Sequence, residues 1–177
     1  MKTNHMTKIG VLAAAACILQ FLGSVMGLKI AGFLEIEFSD LPAIIGTLSL
    51  GPVAGVLIEF IKNIIHCTIT STGFVGEFAN FVINGIFVFV VGSIYSHNKT
   101  KKTAIKALLA GTVVMTIMAA FVNLYIMLPL YMSEAPFYVK LNLVLSTITP
   151  FNFARGISLS IITIFIYKKI SIVLHKY

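Results

Sequence analysis

"ITPFNFARGISLSIITIFIY", residues 148–167, is apolar over most of its length, yet it holds Asn152 and Arg155 three residues apart, just after Pro150. An apolar run of about 20 residues is typical of a helix that crosses a membrane. A charged side chain inside such a helix costs roughly 2.5–3.5 kcal/mol and usually faces the interior of a bundle or a cavity. The segment therefore predicts a membrane helix with one face turned to a polar pocket.

The composition of the whole chain also indicates a membrane protein. Of its 177 residues, 58% are hydrophobic and only 11% are charged, whereas a soluble domain carries about 25% charged residues. A core of this size could not bury so much apolar surface. We predict an all-α integral membrane protein that forms a single domain over residues 1–177.

Six apolar segments are candidates for membrane helices. They cover residues 9–28, 41–50, 53–69, 74–95, 104–130 and 147–166. The first is longer than the apolar core of a signal peptide, about 7–15 residues, and no small-residue cleavage site follows it, so we expect a retained helix. The second is short and ends at Gly51-Pro52, which predicts a partial span covered by other helices.

Basic residues cluster on one side of this six-helix bundle. With six spans, nine of the thirteen Lys and Arg lie on the side that carries both termini, whereas the other side holds Lys29 and Lys140. Such a bias marks the cytoplasmic face, so both termini are predicted to be cytoplasmic. The net charge of +7 thus indicates contact with membrane lipid and predicts no nucleic-acid partner.

The loop at residues 29–40, KIAGFLEIEFSD, lies on the opposite, outer side. Apolar residues alternate there with Glu35 and Glu37, which predicts an extended segment or hairpin with one apolar face. Ser39 or Asp40 is the predicted N-cap of the next helix, since Pro42 would then occupy its first turn.

Polar residues inside the spans concentrate toward the outer side. Glu59 and Lys62 are three residues apart on one helix and are predicted to form a structural pair. A second group lies at similar predicted depth on three helices and comprises Glu77, Asn80, Asn123, Asn152 and Arg155. Carboxamides offer a donor and an acceptor side by side, so this group predicts an outward-opening pocket for a planar heterocycle. Nearby aromatic residues could pack on such a ring system, namely Phe78, Phe81, Phe121, Tyr125, Phe151 and Phe153.

No catalytic or metal-binding motif accompanies this pocket. The chain has no phosphate-binding loop, no H-E-x-x-H and no G-x-S-x-G. Cys17 and Cys67 lack zinc spacing, and His66 has no partner that its spacing implies, so each is interpreted as structural. We predict no enzyme activity, no catalytic residue, no metal and no cofactor.

Four stretches resemble the riboflavin-specific substrate-binding (S) components of energy-coupling factor (ECF) vitamin transporters. They are FSDLPAIIGTLSLGPVAGVLIEFIKN (38–63), GEFANFVINGIF (76–87), NLYIMLPLYM (123–132) and PFNFARGI (150–157). The resemblance implies a six-helix bundle in the bacterial cytoplasmic membrane that binds riboflavin as a transported ligand. It also implies a transmembrane coupling (T) component and two ATP-binding-cassette ATPases as partners.

The same resemblance assigns residues to the ligand. Asn123 and Asn152 match positions that bind the flavin ring, and Arg155 matches a position that is usually lysine. Asn80 and loop residues 38–40, including Phe38 and Asp40, match segments near the ligand. Because riboflavin is neutral, Arg155 would need a second partner, and Glu77 is predicted from its similar depth.

The first helix carries small residues that match the spacing of the T-component interface in the family. The A-x-x-x-A motif itself is absent, and the pairs Gly10/Ala14 and Ala13/Cys17 take its place. Two alternatives stay open: an S component for FMN or another vitamin, and a small membrane enzyme or structural bundle protein. Copurified flavin and competition by FMN, folate and thiamine would separate these possibilities.

Overall fold

The computed structural model describes residues 3–26, 29–30, 34–35, 38–69 and 74–174. Its helices and strands, in chain order, are α1 Thr3–Met26, β1 Lys29–Ile30, β2 Leu34–Glu35, α2 Leu41–Leu50, α3 Pro52–His66, α4 Val75–His97, α5 Lys101–Val122, a π-helical turn π1 Asn123–Met127, α6 Leu128–Tyr131, α7 Phe137–Leu143, a second π-helical turn π2 Val144–Ile148, and α8 Thr149–Leu174.

Long apolar helices dominate this architecture. Within the described residues, four helical runs have the length and apolarity to cross a membrane: Thr3–Gly23, Val75–His97, Lys101–Tyr131 and Phe137–Tyr167. The two longest are continuous through the π-helical turns. Helix α2 is a shorter apolar helix, with the predicted bounds of 41 and 50. The structure is therefore that of an all-helical membrane protein, apart from one small hairpin.

The last helical run starts earlier than its sequence predicts. It begins at Phe137 rather than at residue 147, because α7 and π2 precede α8 without a break. Lys140 and Asn142 interrupt the apolar pattern there, so the sequence indicates a loop. In the structure Lys140 is buried and its ammonium group donates to the carbonyl of Ser133 over 3.5 Å.

Two local features confirm turns that the sequence indicates. Lys29 pairs with Glu35 and Ile30 with Leu34 in an antiparallel hairpin, as the alternation in the first loop predicts. Gly51, at φ 101°, joins α2 to α3, and Pro52 is the first residue of α3. Glycine adopts this left-handed conformation without a steric penalty, so the two helices can meet with no intervening loop.

Helix α4 lies at the centre of the bundle. It packs against α2, α3 and α5, and α5 packs in turn against α8. A methyl group on Gly92 would overlap the hydroxyl of Thr47 and lie 2.7 Å from Cα of Pro52, so the α2–α3 junction approaches α4 closely. This packing brings the start of α2, the end of α3 and the starts of α4 and α8 to one end of the bundle.

Candidate functional site

A chain of ion pairs lies at that end of the bundle. The Arg155 guanidinium donates through Nη2 to Oδ2 of Asp40 over 2.6 Å. Lys62 lies 2.6 Å from Oδ1 of the same carboxylate and 2.7 Å from Oε2 of Glu59. The predicted pairing of Glu59 with Lys62 is thus confirmed, and it extends to two further charges.

The chain of ion pairs joins three elements and balances its own charge. Asp40 precedes α2, Glu59 and Lys62 lie on α3, and Arg155 lies on α8. Two acids and two bases cancel formally, which is a condition for burying charges in a dry interior. Asp40, Glu59 and Lys62 have no exposed side-chain surface, whereas Arg155 retains 14%.

The prediction that Asp40 is the N-cap residue of α2 is confirmed in position, but the expected capping by its side chain is not found. Asp40 occupies the N-cap position of α2, but its side chain makes no capping hydrogen bond. Both carboxylate oxygens are engaged by cations instead. Charge-assisted hydrogen bonds of this kind are roughly twice as strong as neutral ones, so the carboxylate favours the cations over backbone N–H groups.

Glu77 has a different partner from the one its depth predicts. Oε1 of Glu77 lies 3.0 Å from Nδ1 of His66, between the end of α3 and the start of α4. The carboxylate on Arg155 is that of Asp40, so the expected pairing of Arg155 with Glu77 is corrected. His66, interpreted as a histidine without a partner, belongs to this second polar contact.

Asn123 and Asn152 hold their amide groups in the same way. Nδ2 of Asn123 donates to the carbonyl of Ala119 over 2.8 Å, and Nδ2 of Asn152 donates to that of Ile148 over 2.9 Å. A carbonyl accepts only from a donor, so each amide nitrogen must face its own helix. Each Oδ1 is thereby presented as an acceptor for a partner outside the helix.

Each of these two asparagines lies in or just after a π-helical turn. Asn123 is the first residue of π1, Asn152 follows π2 within the first turn of α8, and the two π-helical turns pack together. Leu128, Val144 and Ile148 form a small buried apolar cluster there. Insertions of this kind are frequent at functional sites, because they change the direction of a side chain within a continuous helix.

The remaining predicted ligand residues occupy the same end of the bundle. Oδ1 of Asn80, on α4 one turn past Glu77, accepts from Nδ2 of Asn84 over 2.9 Å. Phe38 is exposed and precedes buried Ser39 and Asp40. Within the bundle, Oε1 of Glu59 and the Oδ1 atoms of Asn63 and Asn84 are buried without a hydrogen-bond partner. These acceptors make the region polar beneath its apolar exterior.

The predicted aromatic residues divide into two groups. Phe81 is half-buried and packs edge-on against Phe60 at a centroid distance of 5.5 Å, and Phe151 is half-buried beside the Leu128 cluster. The others are exposed at the surface of the bundle; they are Phe78, Phe121, Tyr125 and Phe153.

The four residues predicted to form the T-component face on α1 differ in their exposure. Gly10 and Ala14 are exposed and Cys17 is half-buried. Ala13 is buried in the core of the bundle and cannot contact a partner in this conformation. The exposed part of the face therefore reduces to Gly10 and Ala14, with Cys17 at its edge. In the described part of the chain, no three His, Cys, Asp or Glu residues are grouped to hold a metal ion.

Comparison with known proteins identifies the family. A sequence model of the family described as "ECF transporter, substrate-specific component" matches residues 4–167. The chain belongs to this family. The resemblance stated from the four stretches is thus confirmed over nearly the whole sequence.

The relatives of this S component include named vitamin transporters. It is 30% identical over 175 residues to the riboflavin transporter RibU of Staphylococcus aureus (strain TCH60), covering 96% of this chain and 92% of the relative. It is 30% identical over 181 residues to the riboflavin transporter FmnP of Bacillus subtilis (strain 168), covering 96% and 93%. A solved S component of a bacterial ECF transporter superposes with a TM-score of 0.83 at 30% identity, covering 98% of this chain and 99% of that chain.

Two signals in the site were missed by sequence reasoning. The π-helical turns produce no hydrophobic periodicity that could be recognised in a continuously apolar segment. The pairing of Asp40 with Arg155 spans 115 positions of the chain, and a single sequence gives no distance at that range. The available signal was the unbalanced positive charge of Arg155. It indicated that Arg155 needs a partner but did not identify Asp40.

Proposed function

We propose that this S component binds riboflavin in the outer half of its bundle and mediates riboflavin uptake with an ECF coupling module. The observation that carries the proposal is the pair of oriented carboxamide oxygens, on Asn123 and Asn152, at the same end of the bundle as the Arg155 guanidinium. The names of the S. aureus and B. subtilis relatives support the choice of vitamin.

The donors and acceptors match one edge of the flavin ring. The pyrimidine part of isoalloxazine presents two carbonyls on either side of an N–H group. An asparagine Oδ1 can accept from that N–H, and the guanidinium can donate to a carbonyl. Asn80 and Phe38 would contribute to the same pocket, with Glu77 and Asp40 as its neighbouring charges.

The charge at Arg155 argues against a phosphorylated ligand. A guanidinium at the end of a pocket could bind the phosphate of FMN in bidentate fashion. Here one nitrogen of the fork is already bound to the Asp40 carboxylate, which would repel a phosphate. We therefore propose riboflavin rather than FMN as the ligand.

The membrane arrangement follows from the same assignment. Helices α2 and α3 have 10 and 15 residues, fewer than the roughly 20 of a full span. Neighbouring helices pack around both, and such cover permits short spans. We propose six crossings in the bacterial cytoplasmic membrane, with both termini cytoplasmic. A T component and two ATPases would supply the energy coupling, and the chain itself would not act as an enzyme.

Purification without added vitamin tests the ligand directly. The protein should carry a yellow flavin chromophore, and the flavin-free protein should quench riboflavin fluorescence on titration. FMN, folate and thiamine should compete only weakly with riboflavin in this titration. Equal competition by FMN would widen the proposed ligand from riboflavin to flavins in general. The absence of flavin binding would overturn the proposal.

A further inference from the structure

Asp40 is bound by cations on both sides and closed off from any ligand. Oδ1 is taken by Lys62 and Oδ2 by Arg155, each over 2.6 Å, and the side chain has no exposed surface. Arg155 keeps 14% of its side chain exposed. Of the two residues, only Arg155 is therefore in a position to touch a molecule in the pocket.

We infer that Asp40 and Lys62 are positioning residues, which orient the Arg155 guanidinium toward the ligand without contacting the ligand themselves. The inference rests on the proposed function and extends it to residues of α3 outside the predicted pocket. It also changes the expected role of Asp40 from a direct ligand contact to a support for Arg155.

The shape of the guanidinium explains how a bond to the Asp40 carboxylate orients it. The group is planar and its N–H donors form a rigid fork. A 2.6 Å bond from Nη2 to Asp40 restricts the direction in which the other donors point. A ligand that finds these donors already oriented loses less entropy on binding.

Lys62 has a corresponding effect on Asp40. A carboxylate held at one oxygen can rotate about its last bond, whereas one held at both oxygens has a defined plane. Lys62 holds the second oxygen, and Glu59 on the same helix neutralises the remaining charge of Lys62 over 2.7 Å. Because riboflavin is neutral, the protein must supply all of this charge balance.

A double-mutant cycle tests the role of Asp40. Riboflavin dissociation constants would be measured by fluorescence quenching for Asp40→Asn, Arg155→Met and the double variant, each corrected for its folded fraction. Both single variants should bind about tenfold to a hundredfold more weakly. The double variant, which removes one charge of each sign, should bind no more weakly than Arg155→Met, because Asp40 acts through Arg155.

A spectroscopic measurement separates positioning from general loosening of the fold. The near-ultraviolet absorption band of a flavin responds to hydrogen bonds at its ring carbonyls. In Asp40→Asn this band should move to the position seen with Arg155→Met. Glu134→Gln makes the same acid-to-amide change at an exposed site just before α7 and should leave both the affinity and the band unchanged.

A charge-balanced variant tests the contribution of Lys62. It also tests whether the ion pairs orient Arg155 if Asp40→Asn does not fold. Glu59→Gln/Lys62→Met leaves Asp40 paired with Arg155, so the protein should fold. Its riboflavin affinity should fall by about threefold to thirtyfold, since the Asp40 carboxylate can then rotate.

Three outcomes would overturn the inference. Additive losses in the cycle would show that Asp40 has a ligand contact of its own. An unchanged affinity in Asp40→Asn, or in Glu59→Gln/Lys62→Met, would show that the ion pairs do not orient Arg155. If the unmodified chain bound no riboflavin, both the proposed function and this inference would fail. If it bound riboflavin and the losses of affinity in the cycle were additive, only the positioning role would be refuted.

Discussion

Replacing Asn152 by alanine gives a quantitative test of the pocket. Asn152 is buried in the first turn of α8, and its amide nitrogen donates to the Ile148 carbonyl over 2.9 Å. The substitution removes that internal bond and also removes the oriented Oδ1 acceptor. These two losses affect different measurable quantities, stability and affinity.

The loss of the internal hydrogen bond should reduce the free energy of unfolding by about 0.5–1.5 kcal/mol, the usual net value of such a bond. The loss of the acceptor leaves a ligand N–H unsatisfied in a dry pocket, which costs about 1–3 kcal/mol. Since 1.4 kcal/mol is a factor of ten, the riboflavin dissociation constant should rise by roughly tenfold to a hundredfold.

Ser160→Ala is the matched control on the same helix. Ser160 is also buried, donates to the Gly156 carbonyl over 2.7 Å and lies 3.3 Å from the Thr112 hydroxyl. Its replacement should lower stability by a similar amount and leave riboflavin affinity unchanged. Fluorescence-quenching titration would be combined with thermal unfolding in detergent for both variants. Equal dissociation constants for well-folded Asn152→Ala and the unmodified chain would refute the assignment of Asn152 to the pocket.

Other variants and assays test the packing, the orientation and the energy coupling. Gly92→Ala should lower the free energy of unfolding by about 1–3 kcal/mol, because its methyl group would overlap Thr47 and Pro52. Gly10→Ala, with open space around it, should be neutral. Equal stability of the two variants in thermal unfolding experiments would contradict the close approach. In sealed vesicles of a chain whose two native cysteines are replaced by alanine, an external thiol reagent should label a cysteine at Ser133 but not one at Asn98, and equal labelling would contradict the proposed topology. The pure chain in liposomes should bind riboflavin without hydrolysing ATP, and measurable phosphate release would contradict the assignment of energy coupling to partner subunits.

Elements with strong local signals were predictable from the sequence. The bounds of α2 follow from Pro42 near its start and from Gly51-Pro52 at its end, because these residues act on the backbone directly. The hairpin follows from the alternation in its loop. The early start of the last helical run was missed because Lys140 and Asn142 interrupt the apolar pattern, although α7 carries both without breaking.

The charged residues of this region were easier to identify from the sequence than their pairing. Charged residues are costly inside a membrane, so Glu59, Lys62, Glu77 and Arg155 stood out by their positions alone. Spacing on one helix was enough to pair Glu59 with Lys62. The partners of Arg155 and Glu77 come from other helices, and their choice depends on how those helices pack.

The position of Asp40 links the chain of ion pairs to the loop that precedes α2. Asp40 is two residues beyond exposed Phe38 and immediately before α2, so its side chain holds the point where the loop enters the bundle. The bonds to Lys62 and Arg155 attach that point to α3 and α8 at once. One carboxylate thus connects the start of α2 with both α3 and α8.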